Sequence, residues 1–170
     1  FIAVWDDHEF ADNAYRDGAS NHAEDGSEGD WLARRTAAAR AYREWMPIRD
    51  PGPDNDPLIY RSFRFGQLAD LVMLDTRITG RDDQARGDAT DPGRSLLGPT
   101  QESWLFEQLS SSSQDGVGWR ILGQQVVMSQ WKVAGVLLNE DSWDGYAATR
   151  ERLFDHLEAE SIDNLVVMTG

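Results

Sequence analysis

The sequence predicts an α/β fold in which mixed β-sheets are flanked by helices. Apolar strand segments alternate along the chain with amphipathic helical segments, which is typical of an α/β domain. Two neighbouring strand segments, 58–66 and 70–76, are interpreted as an antiparallel pair. Because a purely parallel sheet contains no such pair, the sheet is predicted to be mixed.

The elements in the first third of the chain follow from local signals. Residues 1–5 are apolar, and they predict a short buried strand. A helix is predicted over 31–46, because Asp30 is a good N-cap and Pro47 cannot continue a helix. The polar, proline-rich segment 49–57 predicts a loop.

The second half of the chain continues the alternation. A polar loop over 78–96 is followed by a helix that Pro99 and Thr100 open and the serine run from Ser110 ends. A strand is predicted from Trp119, and it continues towards Trp131 as a loop. The last helix is expected over 147–160 and the last strand over 164–169, with no internal repeat along the chain.

Length, composition and charge exclude several classes of protein. The 170 residues suit one domain or a large piece of one, and 40% hydrophobic residues with seven Trp allow a packed core. The absence of Cys excludes disulfides, thiolate metal sites and a cysteine nucleophile. No apolar run reaches the roughly 18 residues that span a bilayer. The net charge of −14 should repel nucleic acids and anionic membranes unless cations intervene.

The first candidate site is the run Asp6, Asp7, His8 and Glu9 at the end of the predicted first strand. Adjacent carboxylates beside an imidazole are unfavourable unless a cation or a substrate anion compensates them. Asn13 adds a neutral oxygen within the same loop, and such oxygens suit calcium, magnesium, manganese or ferric iron. A solvated acidic turn is the structural alternative, and the residues alone do not decide between the two.

Two further segments carry weaker signals. Asp75 and Arg77 follow a predicted strand, where they can pair with each other or where Arg77 can bind a phosphoryl oxygen. The acidic, glycine-rich loop from Asp17 to Asp30 lacks the spacing of a helix-loop-helix calcium site. It is interpreted as a surface loop, with an acidic calcium-binding module as the alternative.

The ordered motifs of the chain resemble those of one family. The strings VWDDHEFADN (4–13), LDTR (74–77), GPTQESWL (98–105) and WDGY (143–146) occur in the order found in PhoD-like alkaline phosphatases. That family is a branch of the calcineurin-like metallophosphoesterases, and the resemblance covers nearly the whole chain. By this resemblance, the fold is expected to be part of a four-layer α/β/β/α sandwich, and residues 1–170 part of one catalytic domain.

The resemblance also implies chemistry. The expected function is metal-dependent hydrolysis of phosphomonoesters and phosphodiesters, with calcium and iron as the metals and manganese or zinc as possible substitutes. Asp6, Asp7 and Asn13 are the expected metal ligands, and the motif leaves open which of Asp6 and Asp7 binds. By the resemblance, His8 is expected to be catalytic and to act on the phosphoryl group. Arg77 is the second expected catalytic residue, because its guanidinium can bind a phosphoryl oxygen.

The same resemblance frames the remaining expectations. Metal ligands of the family upstream of residue 1 and downstream of Gly170 are not in the sequence, so the chain is expected to be an incomplete, inactive portion of the domain. The expected location is secreted or periplasmic, and the expected partner is a phosphate ester, with no nucleic acid. Exposed edges of an incomplete fold predict self-association. A non-catalytic domain that uses the same fold for binding or assembly is the alternative function.

Overall fold

The computed structural model describes residues 1–23, 25–49, 58–84, 88–134 and 136–170. Its helices are α1 (Trp31–Trp45), α2 (Gly98–Gln114) and α3 (Ala147–Ala159), with a short 3₁₀ helix over Trp143–Tyr146. Its strands are β1 (Arg61–Phe65), β2 (Ala69–Met73), β3 (Trp119–Gln124), β4 (Lys132–Val133), β5 (Val136–Leu137) and β6 (Leu165–Thr169). Apart from Arg49, the loop predicted over 49–57 lies outside the described residues.

The principal sheet has four strands in the order β1-β2-β3-β6. β1 and β2 are antiparallel, whereas β2, β3 and β6 run parallel to one another. The prediction of a mixed α/β sheet is therefore confirmed. The strands β4 and β5 form a separate two-stranded hairpin.

One face of the sheet packs against helices. Val72 of β2 and Leu122 of β3 are buried in a core with Leu105 and Leu109 of α2 and Leu153 of α3. Leu105 and Leu109 are four residues apart, so they lie on one side of α2 and face the sheet together. This core explains why the amphipathic segments of the sequence form helices on this side.

The opposite face, here called the outer sheet face, carries apolar side chains on all four strands. The register of the strands places these side chains on it: Phe63, Phe65, Leu71, Met73, Trp119, Ile121, Val166 and Met168. Phe65, Trp119 and Met168 are 52%, 48% and 58% exposed. A sheet that carries apolar side chains on both faces is typical of one that is covered on both sides.

The N-terminal segment differs from its prediction. Residues 1–5 are not a strand, and side chains bind two of their backbone carbonyls. The carbonyl of Ala3 accepts a hydrogen bond from Arg61, and that of Trp5 accepts one from Gln125. The predicted burial is confirmed for Trp5, which is fully buried in a second core beneath α1.

Helix α2 also differs from its prediction. It begins after Leu97, at Gly98, which has a φ of +72° and where a Cβ atom would lie only 2.8 Å from the Cα of Gly80, so the position admits only glycine. The serine run lies inside the helix, and Ser112 is fully buried. The helix ends before Gly116, whose φ of +70° allows the chain to turn.

Strand β3 is shorter than the segment that predicted it. Beyond Gln124 the chain turns, because the Gln124 side chain binds the backbone of Val126 in place of a neighbouring strand. The Oε1 atom of Gln124 also accepts a hydrogen bond from the indole of Trp143, at 3.1 Å.

Within the described residues, no helix combines the length and apolar character needed to cross a bilayer.

Acidification should weaken the β1–β2 pair. Arg64 and Asp70 are partners across the two strands, and the guanidinium binds both carboxylate oxygens at 2.9 and 2.8 Å. These hydrogen bonds hold the pKa of Asp70 below its ordinary value of 3.8. Stability from this pair is therefore complete above that value and is lost as the pH falls through the lowered pKa.

Urea unfolding of the wild type and Asp70→Asn, from pH 7 to pH 3, measures this effect. The difference in unfolding free energy between the two proteins should be constant near neutrality and shrink in acid. Asp155→Asn changes an exposed carboxylate on α3 and serves as the control. An equal difference at pH 3 and pH 7 would contradict the role of Asp70.

Candidate functional site

The acidic run Asp6 to Glu9 folds as a tight turn that is anchored by aromatic side chains. The N–H groups of Phe10 and Ala11 donate to the carbonyl of Asp7, at 2.8 and 2.9 Å. Phe10 packs edge-on against Trp5, with ring centroids 5.1 Å apart. This packing holds the turn, in which His8 and Glu9 are exposed and Asp7 is buried.

The turn brings Asp7, His8 and Asp12 together. One ligand atom from each lies within 4.8 Å of the others. His8 Nε2 is 3.7 Å from Asp7 Oδ2 and 3.5 Å from Asp12 Oδ1. The His8 side chain is 80% exposed, whereas that of Asp7 is only 11% exposed. The group, here called the acidic cluster, therefore has a buried base and an accessible rim.

Asp7 is ionised in this environment. Burial opposes its ionisation, but the positive charge of Arg77 and the N–H of Asn13 outweigh burial and lower the pKa of Asp7. The N–H of Asn13 donates to Asp7 Oδ2 at 2.8 Å. The backbone of Asn13, with a φ of +50°, thus holds Asp7 in place.

Asp6 points to a different partner from Asp7. Its Oδ1 accepts a hydrogen bond from Arg77 Nε at 2.6 Å, and its side chain is about half exposed. Arg77 also lies 3.6 Å from Asp7 and donates to Asp141 at 2.7 Å. Burial lowers the pKa of Arg77, but the three carboxylates outweigh burial and raise it. Arg77 is 4% exposed and is thus held mainly by carboxylates of this chain.

The expected ion pair between Asp75 and Arg77 is not formed by their side chains. The carboxylate of Asp75 instead accepts hydrogen bonds from the backbone N–H groups of Arg77, Ile78 and Thr79. Asp75 thereby shapes the turn after β2, and this turn directs the Arg77 side chain towards Asp6. Of the two interpretations made from the sequence, neither included the carboxylates that bind Arg77.

Two residues of this region, Asp12 and Asp141, were not predicted as site residues from the sequence. Asp12 lies four residues after His8, a spacing that places both on one side of a helical turn and could have indicated it. Asp141 comes from the segment that precedes the 3₁₀ helix, far along the chain. No local signal links Asp141 to Arg77.

The loop between Asp17 and Asp30 lies beside the acidic cluster. The N–H of Asp12 donates to Asn21 Oδ1, and the N–H of Ser20 donates to the carbonyl of Asp12. A cavity of about 840 Å³ is lined by this loop and by Trp31 of α1. Among the described residues the loop forms no cluster of three potential metal ligands, so the calcium-module alternative gains no support.

The donor atoms of the acidic cluster suit a hard cation. Two carboxylates and one imidazole lie together, and the backbone of Asn13 joins them. Oxygen-rich sets of this kind bind calcium, magnesium, manganese or iron and not soft metals. The residues present thus fit one side of a metal centre with positions left open for other ligands.

Comparison with known proteins shows which family the chain resembles. The family model of the PhoD-like phosphatases matches residues 1–170. Alkaline phosphatase D of Bacillus subtilis (strain 168) is 39% identical over 184 residues, which cover 100% of this chain and 30% of that protein. A solved structure titled "Structure of PhoD" has a TM-score of 0.85 and 36% identity, and the match covers 99% of this chain and 34% of that one.

This chain therefore spans about a third of the length of the relatives that it matches. The similarity extends over its whole sequence and its fold, as the ordered motifs predicted. The chain belongs to the PhoD-like phosphatase family.

Proposed function

We propose that residues 1–170 are part of the catalytic domain of a metal-dependent hydrolase of phosphomonoesters and phosphodiesters. The observation that supports this most is the acidic cluster of Asp7, His8 and Asp12 in a chain that belongs to a phosphatase family. The relative from Bacillus subtilis is named as an alkaline phosphatase. Calcium and iron are the proposed metals, and a secreted or periplasmic location is proposed with them.

The residues of this chain would have distinct roles in this reaction. A bound cation supplies charge neutralisation and an activated water. Asp7, Asp12 and Asn13 would hold that cation, and the buried, ionised Asp7 is its strongest candidate ligand. Arg77 is buried among carboxylates. We therefore propose that its main role is to orient Asp6 and Asp7, and that contact with a phosphoryl oxygen is secondary.

His8 is placed to serve the leaving group. Its ring is exposed at the rim while Asp7 and Asp12 stand close to Nε2. As the oxygen of water bonds to phosphorus, the bond from phosphorus to the ester oxygen breaks and that oxygen needs a proton. A protonated His8 can donate that proton to the ester oxygen.

His8→Ala should lower turnover by roughly a hundredfold or more, the usual scale for an acid or for a group that binds the developing oxyanion. The assay is hydrolysis of p-nitrophenyl phosphate and bis-p-nitrophenyl phosphate by the natural full-length polypeptide. Because the His8 side chain is 80% exposed, the unfolding midpoint should hardly change.

The matched control for this variant is His156→Ala. His156 of α3 is half-buried and stacks on Phe106 of α2, so its loss should affect stability and not turnover. Unchanged turnover in His8→Ala would remove His8 from the reaction. Absence of both bound metal and hydrolysis in the wild type would favour the non-catalytic alternative, a domain used for binding or assembly.

We also propose that the 170-residue chain, when produced alone, self-associates through the outer sheet face. Contiguous exposed apolar side chains of this kind favour association.

Val166→Lys combined with Met168→Lys should convert the protein to a monomer in sedimentation experiments. Each added lysine makes the net charge of −14 less negative and so weakens the general repulsion between copies. A loss of association could therefore not be explained by stronger charge repulsion. Phe154→Lys, on α3 and 49% exposed, should leave association unchanged, and a wild type that is monomeric would contradict the proposal.

A further inference from the structure

Arg77 lies between the carboxylates of Asp6 and Asp7 and the carboxylate of Asp141. On one side it donates to Asp6 at 2.6 Å and lies 3.6 Å from Asp7. On the other side it donates from Nη1 to Asp141 Oδ1 at 2.7 Å. Its hydrogen bonds therefore go to Asp6 and Asp141, while the acidic cluster residue Asp7 is the most distant of the three.

Asp141 is held where it can bind Arg77. Arg81 is fully buried and binds the same Oδ1 atom of Asp141 through Nη2. The N–H of Asp141 donates to Asn139 Oδ1 at 2.9 Å. Arg81 also lies over the ring of Tyr146, 5.1 Å from its centroid. Asp141 is thus fixed from its own loop and from the arginine below it.

The neighbouring segment explains why Asp141 has this position. Asp144 accepts hydrogen bonds from the N–H of Trp131 and from Arg150, at 2.6 and 2.7 Å. Ser142 donates to the carbonyl of Asn139 and accepts from the N–H of Asp144. This buried polar framework closes the turn before the 3₁₀ helix and presents Asp141 to the arginines.

The charges of the group are unevenly shared. Arg77 and Arg81 face Asp6, Asp7 and Asp141, so one negative charge is left over. Asp141 neutralises part of the positive charge of both Arg77 and Arg81. Without its charge, Arg77 would be balanced by Asp6 and Asp7 alone, and its attraction for Asp7 would compete with a cation.

We propose that Asp141 is a positioning residue that keeps the charge of Arg77 off Asp7 and so leaves Asp7 available to a divalent cation. This inference rests on the proposed metal-dependent function. It assigns to the segment before the 3₁₀ helix a control over the cation affinity of the acidic cluster, although that segment supplies none of the cluster's ligands.

Calcium titration calorimetry on the natural full-length polypeptide, after removal of bound metal by a chelator, tests the proposal. Asp141→Asn should weaken calcium binding by about tenfold, a moderate electrostatic effect. Asp141→Glu should recover most of the affinity, because it restores the charge. A packing role predicts the reverse order, since Asn has the shape of Asp and Glu does not.

Two further variants separate this role from general damage to the fold. Glu140→Gln removes the charge of an exposed carboxylate next to Asp141 in the same segment, so calcium affinity should stay within about threefold of the wild type. In an Arg77→Gln background, Asp141→Asn should lose most of its effect on calcium binding, because the residue through which it acts is gone.

The outcomes are distinct. A wild type that binds calcium, with Asp141→Asn binding equally well or Asp141→Asn binding better than Asp141→Glu, would overturn this inference alone. A wild type that binds no calcium would overturn the inference together with the calcium part of the proposed function. If Arg77→Gln does not fold, the order of the Asn and Glu variants still decides the question.

Discussion

Asp7→Asn should abolish cation binding and lower hydrolysis of phosphate esters by about a thousandfold or more in the natural full-length polypeptide. Asn has the shape of Asp but no charge, and Asp7 is the buried, ionised member of the acidic cluster. Metal content after desalting and turnover of bis-p-nitrophenyl phosphate are the two measurements.

Asp6→Asn is the matched variant, and it addresses which of the two neighbouring carboxylates binds metal. The Asp6 side chain is about half exposed and bonded to Arg77, and it lies outside the group of Asp7, His8 and Asp12. We expect metal to be retained and activity to fall about tenfold or less, the scale of one surface ion pair. Loss of metal in Asp6→Asn with retention in Asp7→Asn would reverse the assignment.

Trp5→Ala should lower the free energy of unfolding by about 3–5 kcal/mol, the usual cost of truncating a buried large aromatic side chain. Trp5 is fully buried, and its ring contacts those of Phe10 and Tyr42 at centroid distances of 5.1 and 5.6 Å. The same packing anchors the turn that carries Asp7, so cation binding should weaken as well. Urea unfolding monitored by far-UV circular dichroism measures the effect.

Trp45→Ala is the control for this substitution, because Trp45 ends α1 and is 86% exposed. Its cost should lie within about 0.5 kcal/mol. Trp5→Phe should cost less than Trp5→Ala, since it keeps a ring and removes the indole N–H, which finds no hydrogen-bond acceptor among the described residues. Equal losses in Trp5→Ala and Trp45→Ala would show that the second core contributes little.

Several elements could be predicted because their signals are local. The start of α1 follows from Asp30, whose carboxylate accepts a hydrogen bond from the N–H of Ala33 as an N-cap does. The antiparallel pairing of β1 with β2 was predicted because the two segments are neighbours in the sequence, and the strand register confirms it. The prediction that the serine run ends α2 is wrong for the serines themselves, because weak helix formers stay helical when tertiary packing buries one of them, here Ser112.

The candidate site divides in the same way. The adjacency of Asp6, Asp7 and His8 is a property of the sequence, and it is sufficient to select the segment. Their separate directions were not predictable, since a turn sends Asp6 to Arg77 and groups Asp7 with Asp12. The direction of a side chain depends on the backbone of the turn. That backbone is set by Gln125, which binds the carbonyl of Trp5 from far along the chain, and by the positive φ of Asn13.

The sequence by itself determined the family, the mixed α/β sheet and the segment that carries the candidate chemistry, because motif order, periodicity and capping are written in neighbouring residues. Only the tertiary structure decided the charge network. Asp141 and Arg77 are more than sixty residues apart along the chain, and their 2.7 Å hydrogen bond exists because the turn after β2 and the buried Asp144 framework bring them together. Charge interactions depend on distance in space, and that distance is set by packing of the whole domain.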